Sequence, residues 1–347
     1  MQLKDYQEKT LNRLREFLTK AESIGAKKAF AETALPAANG IVPPYHELPE
    51  MEDVPYVCLR LPTGGGKTIL STHSIEVAAT TYLEEDFPFV LWLVPTTTIA
   101  EQTLSCLLNP DHPYRDAINQ KYGSNVRILS VSDFDLVRPD DLGNRLCILV
   151  GTFAALRVKE TDDRNIYKEN EAFETHFSGL DIEHLGLERN ESGERKGKVK
   201  LSFANLVKIH RPLLILDEAH NAKTKLTSDV IKRINPKCIL EFTATPHLTG
   251  ELRTNILYSV SAQELKAEHM IKLPIMLTEH ANWQEGIADT IRNVNKLNEI
   301  AKTDSSYIRP IALIQAEDKN REVNVEFLKN HLVNVEKISS ETIAIAT

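Results

Sequence analysis

The sequence predicts an α/β fold in which a parallel sheet is covered by helices on both faces. Apolar runs recur along the chain, and most of them are near-continuous, as in strands buried on both faces. Helical patterns follow several runs, so strand and helix alternate as they do in parallel sheets. A glycine-rich loop follows the first run and opens a helix. The predicted strands are Tyr56–Leu61, Phe89–Val94, Val126–Ser130, Leu146–Val150, Leu213–Leu216 and Cys238–Phe242.

The composition predicts a globular protein and limits how the chain can bind a polyanion. Hydrophobic residues make up 42% of the chain, enough for a sizeable core, and the formal net charge is -8. Contact with a phosphate backbone must therefore come from a local patch, not from the field of the whole molecule. The charged N-terminal segment has no signal-peptide core, and no stretch approaches the roughly 18 apolar residues of a membrane span, which predicts a cytoplasmic protein without membrane contact.

The cysteines are predicted to be small buried side chains with no metal or disulfide role. None of them forms a CxxC pair, and most lie in or beside apolar runs. They are Cys58, Cys106, Cys147 and Cys238.

Four regions are expected along the chain. An amphipathic helix and a proline-rich loop come first, and the main α/β domain follows with a charged insertion near 157–200. We interpret the insertion as a solvated surface excursion with a mobile loop near Glu188–Lys200, in preference to a binding element. The regions are 1–55, 56–265, a connector at 266–306, and a second unit at 307–347 with a strand at 311–315, a helix at 322–333 and a strand at 342–346. That second unit is too small to enclose a core and is expected to be the beginning of a larger one.

The segment Leu61–Thr68, which reads LPTGGGKT, has the context of a phosphate-binding loop. Its glycines let successive N–H groups point at one anion, and the following helix adds the positive end of its dipole. Lys67 supplies a cation for the outer phosphates of a nucleotide, and Thr68 supplies a hydroxyl for Mg²⁺. The alternative is a glycine-rich turn with a chance Lys-Thr. The expected nucleotide-binding residues are Thr63, Gly64, Gly65, Gly66, Lys67 and Thr68.

Two carboxylates follow another predicted strand. Asp217 and Glu218 come directly after Leu213–Leu216, so the strand should deliver them to its carboxyl end, where open parallel sheets bind ligands. Hydrolysis of ATP requires a metal ligand and a general base. Asp217 can hold Mg²⁺, and Glu218 can polarise the attacking water. The alternative is an acidic N-cap of the next helix.

With these residues in place, the chain resembles the DEAD/DEAH-box helicases of superfamily 2, and within them the restriction (Res) subunit of type III restriction enzymes. The supporting stretches are LPTGGGKT, HRPLLILDEAHNAKT, ILEFTATP and IRPIALIQAED. In family order, the resemblance covers Tyr6-Gln7 (glutamine motif), Val94–Gln102 (motif Ia), Gly151-Thr152-Phe153 (motif Ib), Asp217-Glu218-Ala219-His220 (motif II) and Thr243-Ala244-Thr245-Pro246 (motif III).

This resemblance implies a RecA-like P-loop NTPase lobe that binds ATP and Mg²⁺ and acts on duplex or single-stranded DNA. It implies that Gln7 reads the adenine edge. It also raises a methyltransferase or specificity subunit as a candidate partner. The implied coupling residues are His220, Thr243 and Thr245, and the implied nucleic-acid contacts are Pro95, Thr96, Gln102 and Thr152.

Each implied role has a structural alternative. Gln7 could be a surface helix residue, and His220 could cap or pack. Thr243 and Thr245 could satisfy turn N–H groups. The threonines 96–98 could cap a helix, with Glu101 completing a capping box from Thr98.

No Gln-x-x-Gly-Arg-x-x-Arg segment, the second-lobe motif that the resemblance would require, occurs in the sequence. The chain is therefore expected to be the N-terminal part of a motor whose isolated ATPase is weak or absent, with no basis for nuclease activity. Three readings stay open: a helicase or translocase half, a nucleotide-gated DNA-binding module without turnover, and a P-loop ATPase unrelated to nucleic acid.

Overall fold

The computed structural model describes residues 2–36, 40–156, 166–180, 182, 185–218, 225–250, 252–268, 270, 276–305 and 307–345. Within them, seven parallel strands form one sheet in the order β3-β4-β2-β5-β6-β1-β7. The strands are β1 (Tyr56–Arg60), β2 (Phe89–Val94), β3 (Val126–Ser130), β4 (Leu146–Thr152), β5 (Leu213–Asp217), β6 (Cys238–Thr243) and β7 (Ile256–Ser259).

Helices cover both faces of this sheet, which confirms the predicted α/β class. One face buries α1, α3, α4 and α5 with the side chains of Phe17, Leu70 and Trp92, while the other buries α6, α7 and α8 with Phe203 and Leu216. The helices are α1 (Asp5–Ile24), α2 (Ala26–Thr33), α3 (Lys67–Ala78, continued by a π-turn Ala79–Leu83), α4 (Thr97–Leu108), α5 (Pro113–Tyr122), α6 (Glu174–Phe177), α7 (Phe203–His210), α8 (Lys225–Ile234), α9 (Ala262–Ala267), α10 (Trp283–Ala301) and α11 (Val325–Asn334).

The six predicted strands are confirmed to within two residues. Five of them are runs of mostly or wholly buried side chains, whereas β3 lies at the sheet edge and buries only Ile128. The seventh strand, β7, escaped prediction. It is a four-residue edge strand with one fully buried side chain, so its sequence carries little apolar signal. Three cysteines, Cys58, Cys147 and Cys238, are buried, as expected, whereas Cys106 is half-buried.

The chain divides into two compact units, Met1–Leu273 and Pro274–Thr347. The first unit includes α1, which packs on α2 and α3, so the N-terminal region belongs with the sheet. Within the insertion, residues 188–200 form a closed hairpin in which the Asn190 N–H donates to the Lys198 carbonyl at 3.0 Å. The stretch predicted as a mobile loop is thus held by backbone pairing.

The second unit contains α10 and α11, which pack through Trp283 against Phe327 and His331. The predicted helix at 322–333 is confirmed as α11. None of the described helices, in either unit, is long and apolar enough to cross a membrane.

The two strands predicted in the second unit are wrong. Residues 311–315 form no strand, and Leu313 is 97% exposed. Thr342 ends a 3-10 turn, residues 343–345 are irregular, and Ala346 lies outside the described residues. A strand needs a neighbour for its N–H and C=O groups. The described residues of this unit offer no such neighbour, so apolar content alone misled the prediction.

Candidate nucleotide-binding site

The candidate site lies at the carboxyl ends of three adjacent strands. Strands β5, β6 and β1 are neighbours in the sheet, and each is followed by one of the predicted motifs. Parallel strands place their carboxyl ends at one edge. The glycine-rich loop after β1 and the acidic pair at the end of β5 therefore meet there, as the sequence predicted, and the threonine segment after β6 lies at the same edge.

Gly66 shapes the loop. It is the N-cap of α3 with a φ of 73°, a left-handed conformation that favours glycine. A Cβ on this residue would lie 2.5 Å from the Nε2 atom of Gln7. The missing side chain thus allows α1 to approach the loop and leaves the first N–H groups of α3 facing the edge of the sheet.

Lys67 and Glu218 form an ion pair at this edge. The Nζ atom of Lys67 lies 2.8 Å from Oε1 of Glu218, and the lysine side chain is only 8% exposed. The same ammonium donates to the Pro62 carbonyl oxygen at 3.3 Å. Glu218 has a φ of 55°, an uncommon backbone conformation for a residue other than glycine, of the kind that clusters at functional sites. The other carboxylate oxygen, Oε2, accepts from Thr243 at 3.2 Å.

Asp217 faces Thr68. The Thr68 hydroxyl donates to Oδ2 of Asp217 at 3.2 Å. Burial raises the pKa of Asp217 from 3.8 to about 6; the Thr68 hydrogen bond and the Lys67 charge lower it, and the Glu218 charge adds to the increase. A hydroxyl and a carboxylate this close are the oxygen donors that Mg²⁺ prefers, and a buried carboxylate gains most from a cation. The two side chains therefore fit a Mg²⁺ ion that also binds nucleotide phosphates.

The N-terminus of α1 braces the loop from the side. The Tyr6 hydroxyl donates to the Gly65 carbonyl at 3.0 Å. Gln7 is fully buried, and its Oε1 accepts from the Lys4 N–H at 2.9 Å. Its Nε2 has no hydrogen-bond partner among the described residues and lies against Gly66. Gln7 is thus a buried neighbour of the loop with a free donor, and the surface alternative is wrong.

The remaining expected site residues differ in their solvent exposure and in the contacts of their side chains. Thr96 is exposed and caps α4 by accepting from the Ile99 N–H at 3.3 Å, so the cap lies at Thr96 and not at Thr98. Thr152 is buried, and its hydroxyl accepts from the Ala155 N–H. Thr243 is buried beside Glu218. Pro95 is half-buried, Thr63, Gln102 and Thr245 are exposed, and His220 lies outside the described residues.

Two tyrosines also lie at the site. Tyr6 is part of the predicted glutamine motif, although no role of its own was predicted for it, and sequence patterns did not indicate Tyr114. Tyr114, on α5, lies near Thr68; burial raises the pKa of Tyr114, and the Thr68 hydroxyl partly offsets that increase. No spacing links Tyr114 to the loop, because the contact depends on how α5 packs against α3.

A parallel sheet with a glycine-rich loop and an acidic pair at one edge is the architecture of a RecA-like nucleotide-binding lobe. Residues 1–248 match the family model of the type III restriction enzyme, res subunit (ResIII). The match covers 248 of 347 residues, so the chain belongs to this family, whose members are ATP-dependent helicase-type motors of superfamily 2. The second unit lies outside the matched residues.

Three solved structures are similar to the chain at low identity. They are a nuclease-deletion mutant of the Type ISP restriction-modification enzyme LlaGI with a DNA substrate mimic (16% identity, TM-score 0.35), the Sulfolobus solfataricus SWI2/SNF2 ATPase core with dsDNA (17%, 0.33) and the UvsW helicase of bacteriophage T4 (16%, 0.28). The matches cover 88%, 71% and 63% of this chain but only 23%, 32% and 60% of those chains. A search of curated proteins returned no match.

Proposed function

We propose that this chain is the ATP-binding half of a DEAH-type, DNA-dependent motor that hydrolyses Mg·ATP. The observation that carries the proposal is the meeting of two pairs at one sheet edge. Thr68 lies 3.2 Å from Asp217, and Lys67 lies 2.8 Å from Glu218. These pairs supply the metal ligands, the phosphate cation and the general base that nucleotide hydrolysis needs.

The loop residues bind the phosphates. The unpaired N–H groups at the start of α3 would donate to these phosphates, and the helix dipole favours negative charge there. Lys67 is held by Glu218 and by the Pro62 carbonyl, so its ammonium already lies within the loop. When a phosphate competes for Lys67, Glu218 loses its cationic partner and can accept a hydrogen bond from water.

Asp217 and Thr68 would hold the metal, which supplies charge neutralisation for the β- and γ-phosphates when it is bound. Because the pKa of Asp217 is about 6, this carboxyl carries a proton in part of the molecules near pH 6, and metal binding would favour its ionised form. Glu218 then orients the attacking water, and Thr243 fixes the direction of its carboxylate.

Nucleic acid would bind along the segments after β2, β4 and β6. Thr96 and Gln102 are exposed on α4, and the N-terminus of that helix can donate to a phosphate. Thr245 is exposed at the end of β6, so with His220 it is our candidate link between nucleotide state and DNA. Pro95 and Thr152 would support these segments from less exposed positions. A methyltransferase or specificity subunit is a candidate partner of the full enzyme.

The test is steady-state ATPase of the 347-residue chain with and without DNA, beside Mg-dependent ATP and DNA binding. We expect Mg-dependent ATP binding and slow turnover, both lost in Lys67→Ala. DNA affinity that changes with nucleotide while turnover is absent would favour the nucleotide-gated module. ATP binding without any DNA binding would favour the ATPase unrelated to nucleic acid, and no ATP binding at all would contradict the proposal.

A further inference from the structure

A carboxylate outside the nucleotide site is buried on β6. Glu241 is 0% exposed, and a buried charge is costly unless its oxygens are hydrogen-bonded. The Tyr56 hydroxyl donates to its Oε2 atom at 2.6 Å. The Thr254 hydroxyl donates to the same oxygen at 3.3 Å. Burial, followed by the nearby Glu241 charge, raises the pKa of Tyr56 well above 10, so this phenol stays neutral and donates.

Thr254 closes a loop that follows the threonine segment. Its N–H donates to the His247 carbonyl at 2.8 Å, and its hydroxyl accepts from the His247 N–H at 3.0 Å. The two ends of the segment 247–254 are therefore joined to each other at Thr254, and Thr254 is joined to Glu241. At the outer part of this loop, Leu248 is 64% exposed.

The anchor and the nucleotide site share one face of β6. Successive side chains of a strand point to opposite faces, so Glu241 and Thr243 point the same way. Thr243 donates to Glu218 at 3.2 Å and accepts from the Thr245 N–H at 3.1 Å. The segment from Thr243 to Thr254 is thus held at one end by Glu218 and at the other by Glu241.

We propose that Glu241 is a positioning residue that, through Thr254, fixes the far end of the 247–254 loop so that changes at Glu218 alter DNA binding. A segment held at one end only would absorb a movement of Thr243 without passing it on. A segment held at both ends has to move as a unit or change shape. This inference rests on the proposed function, because it assigns the loop to the coupling of nucleotide and DNA.

The experiment compares three variants of the full chain. Thr254→Val keeps the shape of the side chain but removes the hydroxyl, whereas Thr254→Ser keeps the hydroxyl. Tyr56→Phe also removes a hydrogen bond to Glu241 but keeps the Thr254 hydroxyl and its bond from the His247 N–H, which makes it the control for simple loss of stability. The readouts are amide hydrogen exchange of residues 246–254, ATP affinity, and the ratio of DNA affinities with and without a non-hydrolysable Mg·ATP analogue.

Thr254→Val removes both hydrogen bonds of the hydroxyl, to Glu241 and from the His247 N–H. We expect it to speed exchange in the loop by about tenfold or more and to bring the ratio of DNA affinities close to one. ATP affinity should be unchanged, and Thr254→Ser and Tyr56→Phe should keep the wild-type ratio. The inference is overturned if loop exchange is unchanged in Thr254→Val, if that variant keeps the ratio, or if Tyr56→Phe loses it equally. If the DNA affinity of the wild-type protein does not change with nucleotide, the proposed function is contradicted as well. This measurement is made before the variants, so the two failures can be distinguished.

Discussion

Replacing Asp217 by Asn should stabilise the free protein at neutral pH. Asp217 is 6% exposed, and burial is the main reason that its pKa is raised to about 6. Ionisation of this carboxyl group therefore destabilises the folded state. Asn keeps the size of the side chain and an oxygen that can accept from the Thr68 hydroxyl, but it carries no charge to bury.

The size and sign of the effect follow from proton linkage. The folded pKa of about 6 is higher than the unfolded value of 3.8, so the folded state keeps its proton over a pH range in which the unfolded state releases it. The contribution of Asp217 to the free energy of unfolding therefore falls as pH rises from about 4 to 6 and stays low above pH 6. A shift of about two units at ~1.4 kcal/mol each gives a cost of about 3 kcal/mol at pH 7.5 and little at pH 4.

The assay is urea unfolding of wild-type and Asp217→Asn proteins at pH 4.5 and pH 7.5 without nucleotide or Mg²⁺. We expect the variant to be more stable by about 2–3 kcal/mol at pH 7.5 and by clearly less at pH 4.5. Asp141→Asn is the control: Asp141 is also buried (2% exposed) but lies within 4 Å of Arg127 and Arg145, so its replacement should destabilise. An Asp217→Asn protein that is destabilised at pH 7.5, or equally stabilised at both pH values, would refute the reasoning.

Three further substitutions test separate contacts. Glu218→Gln should keep ATP binding and lose turnover, since the amide is a poor base. If the variant hydrolyses ATP at the wild-type rate in a single-turnover assay, Glu218 is not the general base. Gly151→Ala should lower the free energy of unfolding by about 1–3 kcal/mol, because the new Cβ would lie 2.6 Å from Cγ2 of Val131. A second substitution in the same chain, Val131→Ala, should restore stability. If urea unfolding shows no loss of stability in Gly151→Ala, the close packing is contradicted. Gln7→Ala should reduce the preference for ATP over GTP in competition binding, since Gln7 holds a free donor beside the loop; an unchanged preference would leave Gln7 only its contact with the Lys4 N–H.

The sequence predicted most of the sheet because its strands carry their own signal. A run such as Phe89–Val94 must be apolar at every position to be buried on both faces, and this leaves few alternatives. The same signal failed at residues 311–315, where apolar side chains have no partner strand among the described residues. It also failed at β7, whose edge position requires little burial.

The candidate site could be predicted where each residue follows directly after a strand. Lys67, Asp217 and Glu218 are fixed by their own local sequence and by the rule that parallel strands end at one edge. Tyr114 and Glu241 could not be found that way. Their partners, Thr68 and Thr254, lie on other elements, and these contacts depend on packing that no local spacing encodes.

The central claim is that the glycine-rich loop and the acidic pair bind a single Mg·ATP. Its most direct test is an equilibrium titration of ATP, with and without Mg²⁺, into the wild-type chain and the Lys67→Ala variant. We predict Mg-dependent binding to the wild type and no detectable binding to the variant, which lacks the ammonium 2.8 Å from Glu218. Equal ATP affinity of the two proteins, or binding to the wild type that does not depend on Mg²⁺, would contradict the assignment.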